Sequence, residues 1–281
     1  MMRDFSDDIS ALSLNTATLG HNLDGFGAGL SPEQVVDECA ERGYGGITFW
    51  RRELGGRAHE IGRRVRNAGM QVTGLCRTPY ITGRDAGTMD DIRRSIDDAA
   101  ALGTEILTIV TGGSEPESKG VLESQKILAD RVAAIAPYAA GRNVKLALEP
   151  LNPMFGGNRT CIMTVQDAIS VCDIAGCENV GIAVDVYHVW WDANLEESLG
   201  RASGRIFGYH LCDWLEDTSD MLLDRGMMGD GVADLKSIRK WVEGSGYDGP
   251  CEVEIFSAAN WWLRPPGEVL DEIVRRFKTV C

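Results

Sequence analysis

Residues 144–153 read VKLALEPLNP, an apolar run of strand length that is followed by a glutamate and a proline. Aliphatic runs of this kind are typical of strands that are buried on both faces of a parallel sheet. A second run, VGIAV at residues 180–184, leads directly into Asp185 in the same way. The two stretches therefore predict buried strands that each carry a carboxylate at the carboxyl end.

Eight such runs occur along the chain. The predicted strands lie at residues 10–14, 46–49, 71–75, 106–110, 144–148, 180–184, 205–210 and 251–256. One strand with its helix or loop in roughly 30–35 residues is typical of a (β/α)8 barrel. A doubly wound sheet would instead need a glycine-rich phosphate-binding sequence after its first strand, and residues 15–21, NTATLGH, are not one. We therefore predict the α/β class, with a single TIM barrel as one domain over residues 1–281.

Helix signals separate the predicted strands. Ser31 and Pro32 have the residue types of an N-cap and a first helical position, and Gly43 is a typical C-terminal stop. Thr164 and Asp167 resemble a capping box, which marks the start of another helix. Further helical patterns lie at residues 91–102, 234–246 and 266–277.

The charge balance excludes some classes of partner. The chain has 281 residues, with 28 basic and 42 acidic side chains, and its formal net charge is −14. A surface this negative repels phosphate backbones and anionic lipids, so we expect neither a nucleic acid nor a membrane as partner. The apolar runs are of strand length only, which disfavours a transmembrane helix.

The cysteines and the amino terminus favour a cytoplasmic protein. The eight cysteines are scattered and include no Cys-x-x-Cys pair, which is not the pattern of a disulfide framework or a zinc finger. The first ten residues, MMRDFSDDIS, carry acidic side chains where a signal peptide needs a basic end and an apolar run. We therefore expect reduced thiols and a cytoplasmic location.

The last four predicted strands end in residues that can bind a metal ion: Glu149, Asp185, His210 and Glu254. In a barrel the carboxyl ends of neighbouring strands meet at one face, where active sites lie. Three converging carboxylates would repel one another unless a cation neutralised them. Taken singly, each glutamate could be a helix cap or an ion-pair partner, and the histidine could be a core residue. Four positions in register favour one divalent ion, for which oxygens and an imidazole suit Mn²⁺, Mg²⁺, Co²⁺ or Zn²⁺.

At this point the sequence resembles a known family, the xylose-isomerase-like TIM-barrel superfamily or sugar phosphate isomerase/epimerase group. The resemblance rests on the series Glu149, Asp185-x-x-His188, His210-x-x-Asp213 and Glu254. Residues 229–234, GDGVAD, and residues 246–249, GYDG, resemble the group's connection between strands seven and eight. The group includes ketose 3-epimerases, inosose and 3-dehydroshikimate dehydratases, and endonuclease IV. The resemblance covers the whole chain, and it specifies fold and metal site more closely than substrate.

The resemblance implies a role for each matching residue. The family's four metal ligands correspond to Glu149, Asp185, His210 and Glu254. His188 and Arg225 match residues that contact the substrate in the ketose 3-epimerases. In those enzymes the two glutamates also move the proton on opposite faces of the sugar, which assigns the acid/base pair to Glu149 and Glu254. His188 could instead order Asp185 or the following helix, and Arg225 could be a solvated loop residue.

These implications predict a metal-dependent isomerase or epimerase that acts on a ketose or a related polyol-ketone. It would abstract a proton next to the carbonyl and pass through a metal-stabilised enediolate. One alternative is a lyase or dehydratase of the same superfamily, with a keto-inositol, a dehydroshikimate-like acid or a 3-keto-glycoside as substrate. A second alternative is a non-catalytic sugar-binding barrel.

The partner is expected to be a small carbohydrate, and family members are often dimers or tetramers, so a homo-oligomer stays open. No phosphate-binding loop is visible, and the sequence gives no reason to assume a phosphorylated substrate. Four arginines remain candidates for a phosphate contact: Arg77, Arg84, Arg159 and Arg264.

Overall fold

The computed structural model describes residues 3–117 and 120–281. The predicted domain of residues 1–281 therefore includes four positions, 1, 2, 118 and 119, that lie outside the described residues. The strands are β1 Leu12–Asn15, β2 Gly46–Trp50, β3 Gln71–Cys76, β4 Ile106–Val110, β5 Lys145–Glu149, β6 Val180–Asp185, β7 Ile206–Leu211, β8 Asp213–Trp214, β9 Arg225–Gly226 and β10 Cys251–Val253. The helices are α1 Pro32–Glu41, α2 Arg51–Leu54, α3 Ala58–Asn67, α4 Met89–Leu102, α5 Val121–Ala140, α6 Val165–Ala175, α7 Val186–Val189, α8 Leu195–Arg201, α9 Leu235–Gly244 and α10 Pro266–Thr279.

Strands β1 to β7 and β10 form a closed parallel barrel, with β10 seated between β7 and β1. Most of the helices surround it, and β8 and β9 form a separate antiparallel pair at the mouth. The aliphatic runs form the strands because both faces of each strand are covered, one by the barrel interior and one by helices. The predicted single (β/α)8 TIM barrel is therefore confirmed.

The helix starts follow the predicted capping chemistry. The Ser31 hydroxyl accepts from the backbone of Gln34, and Thr164 accepts from that of Asp167, each as part of a capping box. The predicted helix at residues 91–102 begins earlier, at Met89, because Thr88 caps it. The helix predicted over residues 234–246 spans Leu235–Gly244, with Asp234 as its cap.

One predicted strand is too long. The eighth was predicted over residues 251–256, but the strand ends at Val253. Beyond it, the Ile255 backbone N–H donates to the Thr18 hydroxyl, and the Phe256 carbonyl accepts from Arg225. Glu254 still donates its backbone N–H to the Leu211 carbonyl at the end of β7, whereas Ile255 and Phe256 bond outside the barrel sheet, to the short 3-10 helix Thr16–Leu19 and to β9.

Other boundaries shift by one or two residues. Strand β1 extends to Asn15, β5 to Glu149 and β6 to Asp185, so that these polar residues end their strands instead of following them. Within the described part of the chain, no helix is both long and apolar enough to cross a bilayer.

Candidate metal centre

The barrel register brings the predicted strand-end residues to one level. Asp185 of β6 pairs with His210 of β7, and His210 pairs in turn with Glu252 of β10. Glu149 ends β5, next to β6, and Glu254 directly follows β10. Because parallel strands present their carboxyl ends at one face, these side chains meet at the top of the barrel.

Glu149, Asp185, His210 and Glu254, here called the four-residue cluster, are all buried. Each offers one ligand atom, and these atoms all lie within 4.8 Å of one another. The His210 Nδ1 atom is 3.1 Å from a Glu149 carboxylate oxygen and 3.6 Å from one of Glu254. The structure thus brings together the four residues that the sequence singled out. Their role as metal ligands stays a prediction.

The carboxylates of the cluster perturb one another. Burial, opposed by Arg225 but assisted by the nearby Glu149 carboxylate, raises the pKa of Glu254 well above its usual value. Burial alone would lower the pKa of His210, but the carboxylates of Glu252, Glu149 and Glu254 raise it well above its usual value. The cluster therefore retains protons that a cation would displace.

Arg225 is buried at the edge of the cluster, with only 3% of its side chain exposed. Strand β9 places it there, and its Nη1 donates to an Asp185 oxygen at 2.8 Å and to the Glu254 carbonyl at 3.3 Å. The guanidinium is stacked between Tyr187 and Phe256, at 4.4 and 4.3 Å from the ring centroids. The alternative interpretation as a solvated loop residue is therefore wrong. Burial would raise the pKa of Asp185, but Arg225 above all holds it below its usual value.

His188 is buried beside Arg225 and lies in the short helix α7. Its Nδ1 atom accepts from the backbone N–H of Asn152 at 3.2 Å, so a neutral ring carries its proton on Nε2. Burial lowers the pKa of His188 to about 3, which keeps the ring neutral. The Nε2 atom lies 3.7 Å from an Asp185 oxygen and 3.4 Å from Arg225 Nη2.

A pocket opens beside the cluster, and two members of the cluster, Glu149 and Glu254, line it. Its walls include Glu149, Glu254, His188 and Arg225, together with aromatic side chains such as Trp50. Of the four arginines considered for a phosphate contact, Arg77 and Arg159 line this cavity, whereas Arg84 and Arg264 are exposed and do not.

Sequence reasoning missed a buried polar layer next to the cluster. Glu252 accepts from the Asn15 amide at 2.7 Å and from the Thr48 hydroxyl at 2.5 Å, and one of its oxygens lies 3.8 Å from His210 Nε2. The Asn15 amide also donates to Glu254 at 2.9 Å. A signal was present, since Glu252 and Glu254 are two residues apart and such positions share one face of a strand.

Asp213, the last residue of the His210-x-x-Asp213 motif, acts in the loops and not in the cluster. Its carboxylate accepts from the backbone N–H groups of Trp214, Gly229 and Ala233 at 2.9, 2.9 and 3.0 Å. The GDGVAD segment is thereby fastened to strand β8. This fastening holds the short β8–β9 pair, and hence Arg225, in place.

A model of the xylose isomerase-like TIM barrel family matches residues 36–280 of the chain. The chain belongs to this family. A protein of Sinorhizobium meliloti 1021, SMc04130, whose crystal structure is known, is 41% identical to this xylose isomerase-like barrel with a TM-score of 0.89. The alignment covers 98% of this chain and 99% of that protein.

A curated relative and a further solved structure are also similar to this chain. The inosose isomerase of Bacillus subtilis (strain 168) is 29% identical over 142 residues, which are 48% of this chain and 48% of that enzyme. The chain thus matches about half the length of this curated relative. A structure of the IolI protein with a binding zinc atom has a TM-score of 0.77 at 19% identity, covering 94% of this chain and 95% of that one, which is a likeness of fold.

Proposed function

We propose that this xylose isomerase-like barrel is a metal-dependent sugar isomerase or epimerase that acts on a ketose or a related polyol-ketone. The observation that carries the proposal is the four-residue cluster, two members of which, Glu149 and Glu254, line an open pocket with aromatic side chains in its walls. The name of the curated relative that matches about half of this chain, inosose isomerase, supports the same class of chemistry.

The residues of the cluster fit a divalent cation. Three buried carboxylates and one imidazole, each with a ligand atom within 4.8 Å of the others, form a donor set that suits Mn²⁺, Mg²⁺, Co²⁺ or Zn²⁺. Their mutual repulsion is what a cation would relieve. When bound, the ion would supply Lewis-acid polarisation of a carbonyl oxygen.

The side chains around this position divide the remaining work. Glu149 and Glu254 are the proposed acid/base pair, one taking the proton from the carbon beside the carbonyl and the other returning it. Return to the same carbon from the opposite face gives an epimer, and return to the neighbouring carbon gives an isomer. His188, held neutral by burial, presents an Nε2–H donor for a substrate oxygen. Arg225 holds Asp185 and Glu254 in place and closes the cavity wall.

Exchange of substrate hydrogen with solvent tests this function. The protein, stripped of metal and then reloaded with Mn²⁺, would be incubated in D₂O with a panel of ketoses and keto-cyclitols and followed by NMR. We expect deuterium to enter next to the carbonyl only in the reloaded protein and without loss of water or an aglycone. Release of a leaving group would instead identify a lyase or dehydratase. Absence of metal binding would favour a non-catalytic barrel.

Glu252 is expected to position His210 for the metal. A carboxylate beside Nε2 favours the tautomer that leaves Nδ1 free to bind a cation, and loss of such an outer partner typically lowers metal affinity by about 10- to 100-fold. We therefore expect Glu252→Gln to weaken Mn²⁺ binding by about this factor, as measured by titration calorimetry. Glu41→Gln, at the exposed end of α1, is the control. An unchanged affinity in Glu252→Gln would show that Glu252 only fills the barrel.

Metal binding is expected to strengthen as the pH rises. The raised pKa values of Glu254 and His210 mean that the metal-free cluster retains protons above the usual pH of their release. Ligands must be deprotonated to bind a cation, so each retained proton lowers the affinity by about tenfold per pH unit below its pKa. Calorimetry in two buffers of different ionisation enthalpy counts the protons released. An affinity that stays constant from mildly acidic to mildly alkaline pH would contradict this expectation.

A further inference from the structure

Among the residues that the structure describes, two arginines on the wall of the cavity have no acidic partner. Arg77 follows β3, and its Nη1 donates to the Thr78 carbonyl at 3.2 Å. Arg159 lies in the loop after β5, and its buried Nε atom has no hydrogen-bond partner in the described part of the chain. Among the described residues, no carboxylate lies within ion-pair distance of either guanidinium. Arg225, on the same wall, differs because it is paired with Asp185 at 2.8 Å.

The surrounding structure holds these two charges in position. Arg77 lies over the ring of Tyr80 and Arg159 near that of Phe155, at 4.4 and 5.4 Å from the centroids. The Arg159 carbonyl also accepts from the backbone N–H of Gly112 at 3.0 Å, which ties its loop to the end of β4. The guanidinium groups are therefore placed by packing and backbone contacts, without an ion pair to a described carboxylate.

Burial and repulsion between like charges both disfavour the charged form of Arg159 at this position. Burial, followed by the positive charges of Arg77 and Arg225, lowers the pKa of Arg159, and Tyr80 and Glu149 offset only part of this effect. Half-buried like charges of this kind are normally paired. An anion between them would remove the repulsion and satisfy the unpartnered N–H groups.

The donor geometry selects the kind of anion. A guanidinium presents a planar fork of N–H groups that matches the oxygens of a carboxylate or a phosphate. Both arginines share the cavity with Glu149 and Glu254, the proposed acid/base pair. A molecule that reaches the cluster with its carbonyl therefore has these two forks beside it.

We propose that Arg77 and Arg159 bind an anionic group of the substrate, a carboxylate or a phosphate, so that the reacting molecule is an acidic sugar or cyclitol. This inference rests on the proposed function, because it takes the four-residue cluster as the place of the reacting carbonyl. It narrows the proposed substrate class, ketoses and related polyol-ketones, to those members that carry an acidic group.

Three matched cyclitols test the inference: myo-inositol, which is neutral, quinate, which carries a carboxylate, and myo-inositol 1-phosphate. Binding to the Mn²⁺-loaded and to the metal-free chain would be measured by calorimetry. We expect at least one of the two anions to bind about 10- to 100-fold more tightly than myo-inositol, as two charged hydrogen-bonding groups would give. The anion that binds more tightly shows whether a carboxylate or a phosphate is the preferred group.

The variants assign the preference to these two side chains. Arg77→Gln and Arg159→Gln are each expected to lose most of it, whereas Arg63→Gln, an exposed position on α3, should keep it. Arg77→Lys and Arg159→Lys, which retain the charge, serve if a glutamine variant fails to fold, and we expect them to keep only part of the preference. Equal affinity for all three cyclitols, or an equal loss in Arg63→Gln, would overturn the inference.

The metal provides a separate readout. If the wild-type protein binds Mn²⁺ but does not prefer an anion, only the inference about Arg77 and Arg159 is contradicted. If the wild-type protein prefers the anion but binds no metal ion, the proposed function is contradicted and the anion site is still supported.

Discussion

The Glu254→Gln variant is expected to fold normally and to lose at least about a hundredfold in turnover, the usual contribution of a positioned acid or base. Glutamine has nearly the same shape and can still accept the hydrogen bond from Asn15, so the barrel end should keep its structure. It cannot take up and release the proton. Deuterium entry from D₂O, measured by NMR at saturating Mn²⁺, gives the turnover directly.

Two comparisons make the Glu254→Gln result specific. Glu41→Gln, which makes the same chemical change on the exposed end of α1, should leave turnover unchanged. The Mn²⁺ affinity of each variant would be measured alongside, so that a loss of metal is not mistaken for a loss of the base. Normal turnover in Glu254→Gln would remove Glu254 from the acid/base pair.

The His210→Ala variant is expected to lose Mn²⁺ binding by more than about a hundredfold, because even changes outside the ligand set cost about 10- to 100-fold. His210 contributes the single imidazole of the four-residue cluster and lies within reach of Glu149, Glu252 and Glu254. Its removal leaves three carboxylates without the neutral ligand that fixes their geometry. Calorimetry and the rise in melting temperature on adding Mn²⁺ measure the loss.

His59→Ala is the matched control, since His59 lies exposed on α3. It should bind Mn²⁺ as the wild type does. If His210→Ala kept its affinity for Mn²⁺ while remaining folded, the cluster would not be the metal site, and the proposed function would lose its main support.

The fold was predictable because its signals are local. Aliphatic runs such as residues 180–184 mark buried parallel strands wherever they occur, and their regular spacing implies a barrel. The four-residue cluster was equally accessible, since the fold itself brings the carboxyl ends of successive strands together. Strand lengths were less certain, because Glu149 and Asp185 still belong to their strands whereas Ile255 and Phe256 no longer pair with a strand of the barrel.

The partners of the site residues were not predictable from sequence. The pairing of His210 with Glu252 depends on the stagger of β10 against β7, which no single strand reveals. Burial of Arg225 between Tyr187 and Phe256 depends likewise on how the β8–β9 pair folds over the barrel mouth. Asn15 lies far from Glu252 in sequence and meets it only because the barrel closes.

The closure of the barrel brings β1, near the start of the sequence, next to the candidate metal centre. Asn15 lies at the end of β1, and its side-chain amide donates hydrogen bonds to Glu252 and Glu254, more than two hundred residues later in the sequence. These bonds fix the orientation of the two carboxylates. A shortened protein that lacked the opening strand would keep every one of the four candidate ligands in its sequence. It would nevertheless lack the amide that orients Glu252 and Glu254, so we expect these two carboxylates to take up their positions only in the complete barrel.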